Sequence, residues 1–160
     1  MDLVLRTKPD QCTLVPDPPG ILTSNTGWNT SENLSFLIDI VQELKEAGIR
    51  VSLFLNADMS MVESVGLTGT DRIELYTGEF AKSYINDKEE AIRSHIEVSK
   101  SVNKLGIGVN AGHDLNLVNL KFYKENMPYL KEVSIGHALI ADSLKYGLKN
   151  TIQLYLNALS

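Results

Sequence analysis

The sequence predicts an α/β protein of the (β/α)-barrel type: part of a (β/α)8 barrel, with about five strand–helix units in a single domain over residues 1–160. Three observations predict it. Strand-like and helix-like segments alternate along the whole chain, and a parallel crossover needs a helix-length connection. Neither GxGxxG nor a P-loop follows the first strand, which argues against an open, doubly wound nucleotide-binding sheet. Polar and titratable residues gather where strands end, the face on which barrels carry their chemistry.

The first strand is Cys12–Pro16, stopped by its proline. A loop over 17–29 follows. Asn29 then opens a capping box with Glu32, and Leu34, Leu37, Ile38, Val41 and Leu44 recur at helical spacing until Gly48. The dense apolar run Ile49–Leu55 is the second strand. Asp58 caps a short helix through Val65. Ile73–Thr77 is the third strand, and a loop leads from Gly78 to Asn86 or Asp87. There a long helix begins, with Ala91, Ile92, Ile96, Ser99, Val102 and Leu105 on one face and Gly106 at its end. Ile107–Ala111 is the fourth strand. Asn116 caps a helix containing Leu117, Leu120 and Phe122, limited by Pro128. Val133–Ile135 is the last strand; a short helix over Ala138–Leu144 and a final one carrying Leu148, Ile152, Tyr155, Leu156 and Leu159 follow, with Gly147 between them.

A complete (β/α)8 barrel typically needs about 250 residues. Five units in 160 residues leave about three missing. The chain also starts almost directly at a strand, so Met1 reads as an internal methionine of a longer chain.

Composition excludes several classes. Lys and Arg number 15 against 20 Asp and Glu, a net charge of −5 with no basic cluster. Phosphate neutralisation needs concentrated positive charge, so nucleic acid is a poor partner. Cys12 is the only cysteine and can form no internal disulfide, which suits a reducing cytoplasm. No apolar run approaches a membrane span, and the first residues do not resemble a signal peptide. The expectation is a cytoplasmic protein with no membrane partner.

Two of the three histidines share a context, Ala111-Gly112-His113 and Ile135-Gly136-His137, each where a strand meets a loop. Histidine titrates near neutral pH and suits proton transfer there; a hydrogen-bonded structural histidine is the plainer alternative. His95 sits mid-helix beside Ile92 and Ile96 and reads as structural. Alternation in Ile73-Glu74-Leu75 puts Ile73 and Leu75 under helices and Glu74 on the inner face. There it is either a reactive carboxylate or a brace between strands. Glu74, His113 and His137 lack the close spacing of a metal motif, so neither a metal nor a cofactor is expected. Gly136-His137 runs straight into a helix start, whose free N–H groups favour an anion.

Taken together, Thr7-Lys8-Pro9, Leu14-Val15-Pro16, Val51-Ser52-Leu53-Phe54, Ile73-Glu74-Leu75-Tyr76-Thr77-Gly78, Val109-Asn110-Ala111-Gly112-His113 and Ile135-Gly136-His137-Ala138 resemble the pyridoxine 5′-phosphate synthase family of the deoxyxylulose-phosphate-dependent vitamin B6 pathway. The resemblance covers nearly the whole chain. It implies a (β/α)8 TIM barrel, of which this is the C-terminal portion, strands four to eight. It implies ring closure between 1-deoxy-D-xylulose 5-phosphate and 3-amino-2-oxopropyl phosphate, by a cytoplasmic homo-oligomer acting on small phosphorylated substrates. Under it His113 is a proton donor and Glu74 a carboxylate that stabilises the transition state. Thr23 contacts the deoxyxylulose phosphate, and Gly136 and His137 contact the aminoketone phosphate. Asp114 stands at a further contact to the aminoketone phosphate that is usually Gly, where a carboxylate would repel phosphate unless it points away.

The family's first three strands carry an Asn-x-Asp-His segment, a His-x-Arg segment and a second catalytic glutamate. None occurs here, so the resemblance implies that this chain alone has lost most activity. Two other readings remain at this level: a non-catalytic fragment that only packs or assembles, and another phosphate-handling barrel such as an aldolase or isomerase. No lysine stands at a strand end to support a Schiff-base aldolase.

Overall fold

A computed structural model describes residues 1–160. Five strands form one sheet in the order β1-β2-β3-β4-β5, every neighbouring pair parallel. They are β1 (Gln11–Leu14), β2 (Arg50–Leu55), β3 (Arg72–Tyr76), β4 (Gly108–Gly112) and β5 (Leu130–Ser134). Eight α-helices accompany them: α1 (Asp2–Thr7), α2 (Leu34–Glu46), α3 (Val62–Leu67), α4 (Gly78–Ser83), α5 (Lys88–Lys104), α6 (Leu120–Asn126), α7 (His137–Tyr146) and α8 (Leu148–Leu159). None is long and apolar enough to cross a membrane.

The alternation of side chains along each strand sorts the sheet into two unlike faces. Val51, Leu53, Ile73, Leu75, Val109 and Ala111 are completely buried beneath the helices. With Leu37, Val41 and Leu44 of α2 and Val98 and Val102 of α5, they belong to one continuous apolar core. The other face is polar. It carries Thr13, Arg50, Ser52, Arg72, Glu74, Asn110, Glu132 and Ser134.

That polar face is concave. Arg50 on β2 donates to both carboxylate oxygens of Glu132 on β5, at 2.9 and 3.0 Å. The two strands are three places apart, roughly 14 Å in a flat sheet, and strand side chains stand nearly perpendicular to it. Their tips meet because the sheet curls. The same curl brings Thr13 of β1 within 3.3 Å of Glu74 on β3.

Several elements differ from the sequence reading. A helix, α1, precedes the first strand; its six residues bury none of their number fully and show little apolar periodicity. The segment after Gly78 is helix α4 rather than loop. Asn29 caps a turn, accepting from the Glu32 N–H at 3.2 Å, but the helix proper starts at Leu34. Asn116 likewise accepts from Val118 N–H ahead of α6, which begins at Leu120 and leaves Leu117 outside. β5 starts at Leu130, three residues before the expected strand, because Lys131 and Glu132 are exposed and break the apolar signal. Asp58 and Asp87 cap as expected, accepting from the N–H groups of Ser60 and Glu90. Asp58 begins a 3-10 turn that leads into α3.

Candidate functional site

β3 and β4 deliver Glu74 and His113 to the carboxyl end of the concave face. The Glu74 side is set by alternation: its neighbours Ile73 and Leu75 are fully buried under helices, while Glu74 is 8% exposed on the opposite face. Gly112 makes room for it. A Cβ on Gly112 would stand 2.7 Å from Glu74 Oε1 and 2.8 Å from the Ser134 carbonyl, closer than any side chain tolerates. Burial pushes the Glu74 carboxyl above the usual range, and hydrogen bonds from Thr13 and Ser134 together with the nearby His113 pull part of the way back.

His113 follows the strand in a backbone conformation rare for a side-chain-bearing residue, φ 95°. Thr77 holds it there. The buried Thr77 hydroxyl donates to the Gly112 carbonyl at 2.8 Å and accepts from the Asp114 N–H at 3.1 Å, bracketing His113 on both sides. The His113 N–H donates to the Ser134 carbonyl at 3.2 Å, tying the turn to β5. Such a conformation costs of order 1–3 kcal/mol and persists where surrounding contacts over-determine it.

The imidazole is walled by Phe54 and Tyr76, whose ring centroids lie 6.4 and 5.6 Å away. Thr23 Oγ1, from the loop after β1, is 2.7 Å from its Nε2. Asp114 Oδ2 is 2.8 Å from its Nδ1. The ring of His137, the first residue of α7, is 6.3 Å from that of His113. Gly136, the residue before α7, has φ −107°, and a Cβ there would meet nothing within 4 Å. Packing therefore does not require glycine at 136, and the space above it is open.

Thr23, Glu74, His113, Asp114, Gly136 and His137 thus border one end of one face. Asp114 directs its carboxylate at His113 and its N–H at Thr77. His95 lies elsewhere: it is 2% exposed, packed against Phe80, with Nδ1 2.9 Å from the Tyr123 hydroxyl. Burial lowers its pKa to about 4. A cleft of about 510 Å³ between β3, α4 and α5 takes in Tyr76 and His95 but neither Glu74 nor His113, so it lies beside this site. Sequence reasoning missed Thr77, Tyr76 and Ser134. Thr77 carried one legible signal, a hydroxyl residue where a strand meets Gly78.

A parallel sheet that gathers a buried carboxylate and a clamped histidine where its strands end has the build of an α/β enzyme domain. A family model described as "Pyridoxal phosphate biosynthesis protein PdxJ" matches residues 1–160, and the chain belongs to that family. It is 54% identical over 157 residues to the pyridoxine 5′-phosphate synthase of Cytophaga hutchinsonii, covering 98% of this chain and 66% of that protein. It is 52% identical over 159 residues to the enzyme of the same name from Bacteroides thetaiotaomicron, covering 99% of this chain and 67% of the relative. For the Parabacteroides distasonis enzyme of that name, the figures are 52% over 155 residues, 97% and 65%. The chain thus spans about two thirds of the length of these relatives.

Proposed function

We propose that residues 1–160 form the C-terminal part of a single (β/α)8-barrel domain. The complete domain condenses 1-deoxy-D-xylulose 5-phosphate with 3-amino-2-oxopropyl phosphate to pyridoxine 5′-phosphate, releasing phosphate and water. The observation that carries this reading is the convergence of Thr23, His113 and His137, drawn from three separate stretches of the chain, above the buried Glu74. Family membership and the names of the relatives support the reaction. The concavity shown by the Arg50–Glu132 pair supports a sheet that closes into a barrel.

In this reading His113 is the proton donor and Glu74 the carboxylate that stabilises charge in the transition state. Joining an amine to a carbonyl with loss of water needs a proton delivered to the departing oxygen, and His113 stands at the open mouth to deliver it. Glu74, with its proton affinity raised by burial, answers positive charge that develops above it. Thr23 contacts the deoxyxylulose phosphate. Gly136 and His137 receive the aminoketone phosphate at the start of α7, where no side chain caps the helix and its first N–H groups favour an anion. The enzyme works as a cytoplasmic homo-oligomer without a cofactor. Exposed apolar residues on α7 and α8, among them Leu144, Leu148 and Leu156, support further burial against additional chain or a second copy.

The test is complementation. The chain is mixed with, or fused to, the N-terminal third of the Cytophaga hutchinsonii relative, and pyridoxine 5′-phosphate formation is followed. Product at a rate well above that of either piece supports the reading. A folded, associated complex that makes none contradicts it.

A further inference from the structure

We propose that Asp114 is a positioning residue: its carboxylate holds the Nδ1 proton of His113, so every proton that His113 exchanges passes through Nε2. The proposal deepens the reading of His113 as the proton-handling group and rests on it.

The geometry carries the argument. Asp114 Oδ2 lies 2.8 Å from His113 Nδ1, while Thr23 Oγ1 lies 2.7 Å from Nε2. An ionised carboxylate can only accept a hydrogen bond. Nδ1 must therefore be the donor, and in the neutral ring Nε2 carries the free lone pair. The Thr23 hydroxyl then donates to that lone pair. When the ring is charged, Asp114 keeps the Nδ1 proton and also faces the imidazolium, so the mobile proton sits on Nε2 in either state.

The arrangement is built rather than incidental. Asp114 adjoins His113 in sequence, and neighbouring side chains normally diverge. They meet here because His113 takes φ 95° and the Thr77 hydroxyl pins the Asp114 N–H at 3.1 Å. The His113 side chain is 23% exposed and that of Asp114 is 41% exposed. Every group facing the ring fits the same assignment. Phe54 on β2 and Tyr76 on β3 wall it, Glu74 on β3 lies below, and His137 of α7 stands across the mouth. Only Asp114 reaches Nδ1.

The test reads the tautomer directly. The chain is labelled with nitrogen-15, and two-bond proton–nitrogen correlations of the His113 ring are recorded at a pH where the ring is neutral. Wild type is expected to be predominantly Nδ1–H, and Asp114→Ala and Asp114→Ser to shift to predominantly Nε2–H. Removal of Asp114 as a mere surface residue would leave the ring nitrogens unmoved. A wild-type ring protonated on Nε2 overturns the proposal whether or not a variant folds, and so does an Nδ1–H tautomer that persists in both variants. The readout needs no turnover. A tautomer switch in a chain whose complemented form makes no pyridoxine 5′-phosphate would reject the function and keep the positioning role.

Discussion

The Thr23 hydroxyl lies 2.7 Å from Nε2 of His113, joining residues 90 positions apart at the mouth of the concave sheet. Thr23→Val keeps the side-chain shape and deletes the hydroxyl. A hydrogen bond to a charged or polar partner at an exposed site is worth about 1–1.5 kcal/mol, or roughly tenfold. In the complemented enzyme, KM for 1-deoxy-D-xylulose 5-phosphate should rise about tenfold, while KM for the aminoketone phosphate stays nearly constant. Steady-state kinetics with each substrate varied in turn checks this; equal effects on both would remove Thr23 from that subsite.

Gly136 separates a phosphate role from a turn role. The open space around a notional Cβ means that Gly136→Val should leave stability nearly unchanged. The added side chain would stand where an anion approaches the first N–H groups of α7. Aminoketone phosphate binding should weaken by at least about tenfold, the effect of losing one or two charge-assisted bonds. Calorimetry and urea unfolding of the same variant measure the two quantities. A large loss of stability with binding intact would assign Gly136 to the turn.

His95 sets an acid limit on folding. Its folded pKa of about 4 lies below the ordinary value of 6.5 because burial disfavours the charged ring. The unfolded chain therefore binds the extra proton first as pH falls. Stability from this group is complete above pH 6.5 and is lost down to about pH 4, in total about 3 kcal/mol. His95→Gln lowers stability at pH 7 by losing ring packing against Phe80 and Tyr123. Its stability should nevertheless fall less between pH 7 and 4 than that of wild type. Parallel pH profiles for the two proteins would contradict the assignment.

Glu74 acts with the opposite sign. Its folded pKa is raised, so the native state holds the proton more tightly than the unfolded chain does. Stability then falls as pH rises from the ordinary carboxylate range through the raised value. Glu74→Gln removes that penalty, keeps an acceptor for Thr13, and should be at least as stable as wild type at pH 7 with no advantage at pH 4. Denaturant midpoints at the two pH values test it. A variant less stable at pH 7 than at pH 4, relative to wild type, would mean that Glu74 braces the strands.

The fold was legible where one face of an element is strongly apolar. Leu53, Ile73, Leu75 and Val109 announce buried strands, and Leu37, Val41 and Leu44 a packed helix. It was illegible where burial is weak: α1 buries no residue fully, and β5 carries Lys131 and Glu132 on an exposed edge. At the site, Glu74 and His113 could be read from their places at strand ends. Thr23 came only through family likeness, since no local pattern links it to a histidine 90 residues on. The Thr77 clamp and the Asp114–His113 bond depend on the register Tyr76↔Gly112 and on a positive φ, neither of which a linear pattern encodes.

The central claim is that His113 handles a proton in the synthase reaction, and His113→Asn in the complemented enzyme tests it most directly. Asparagine keeps polarity and tolerates positive φ, so the turn held by Thr77 should survive. General acid–base groups typically contribute about 10² to 10⁴ in rate. The account predicts that kcat for pyridoxine 5′-phosphate formation falls within that range, with KM for both substrates changed less than about threefold. A kcat within about threefold of wild type would contradict it.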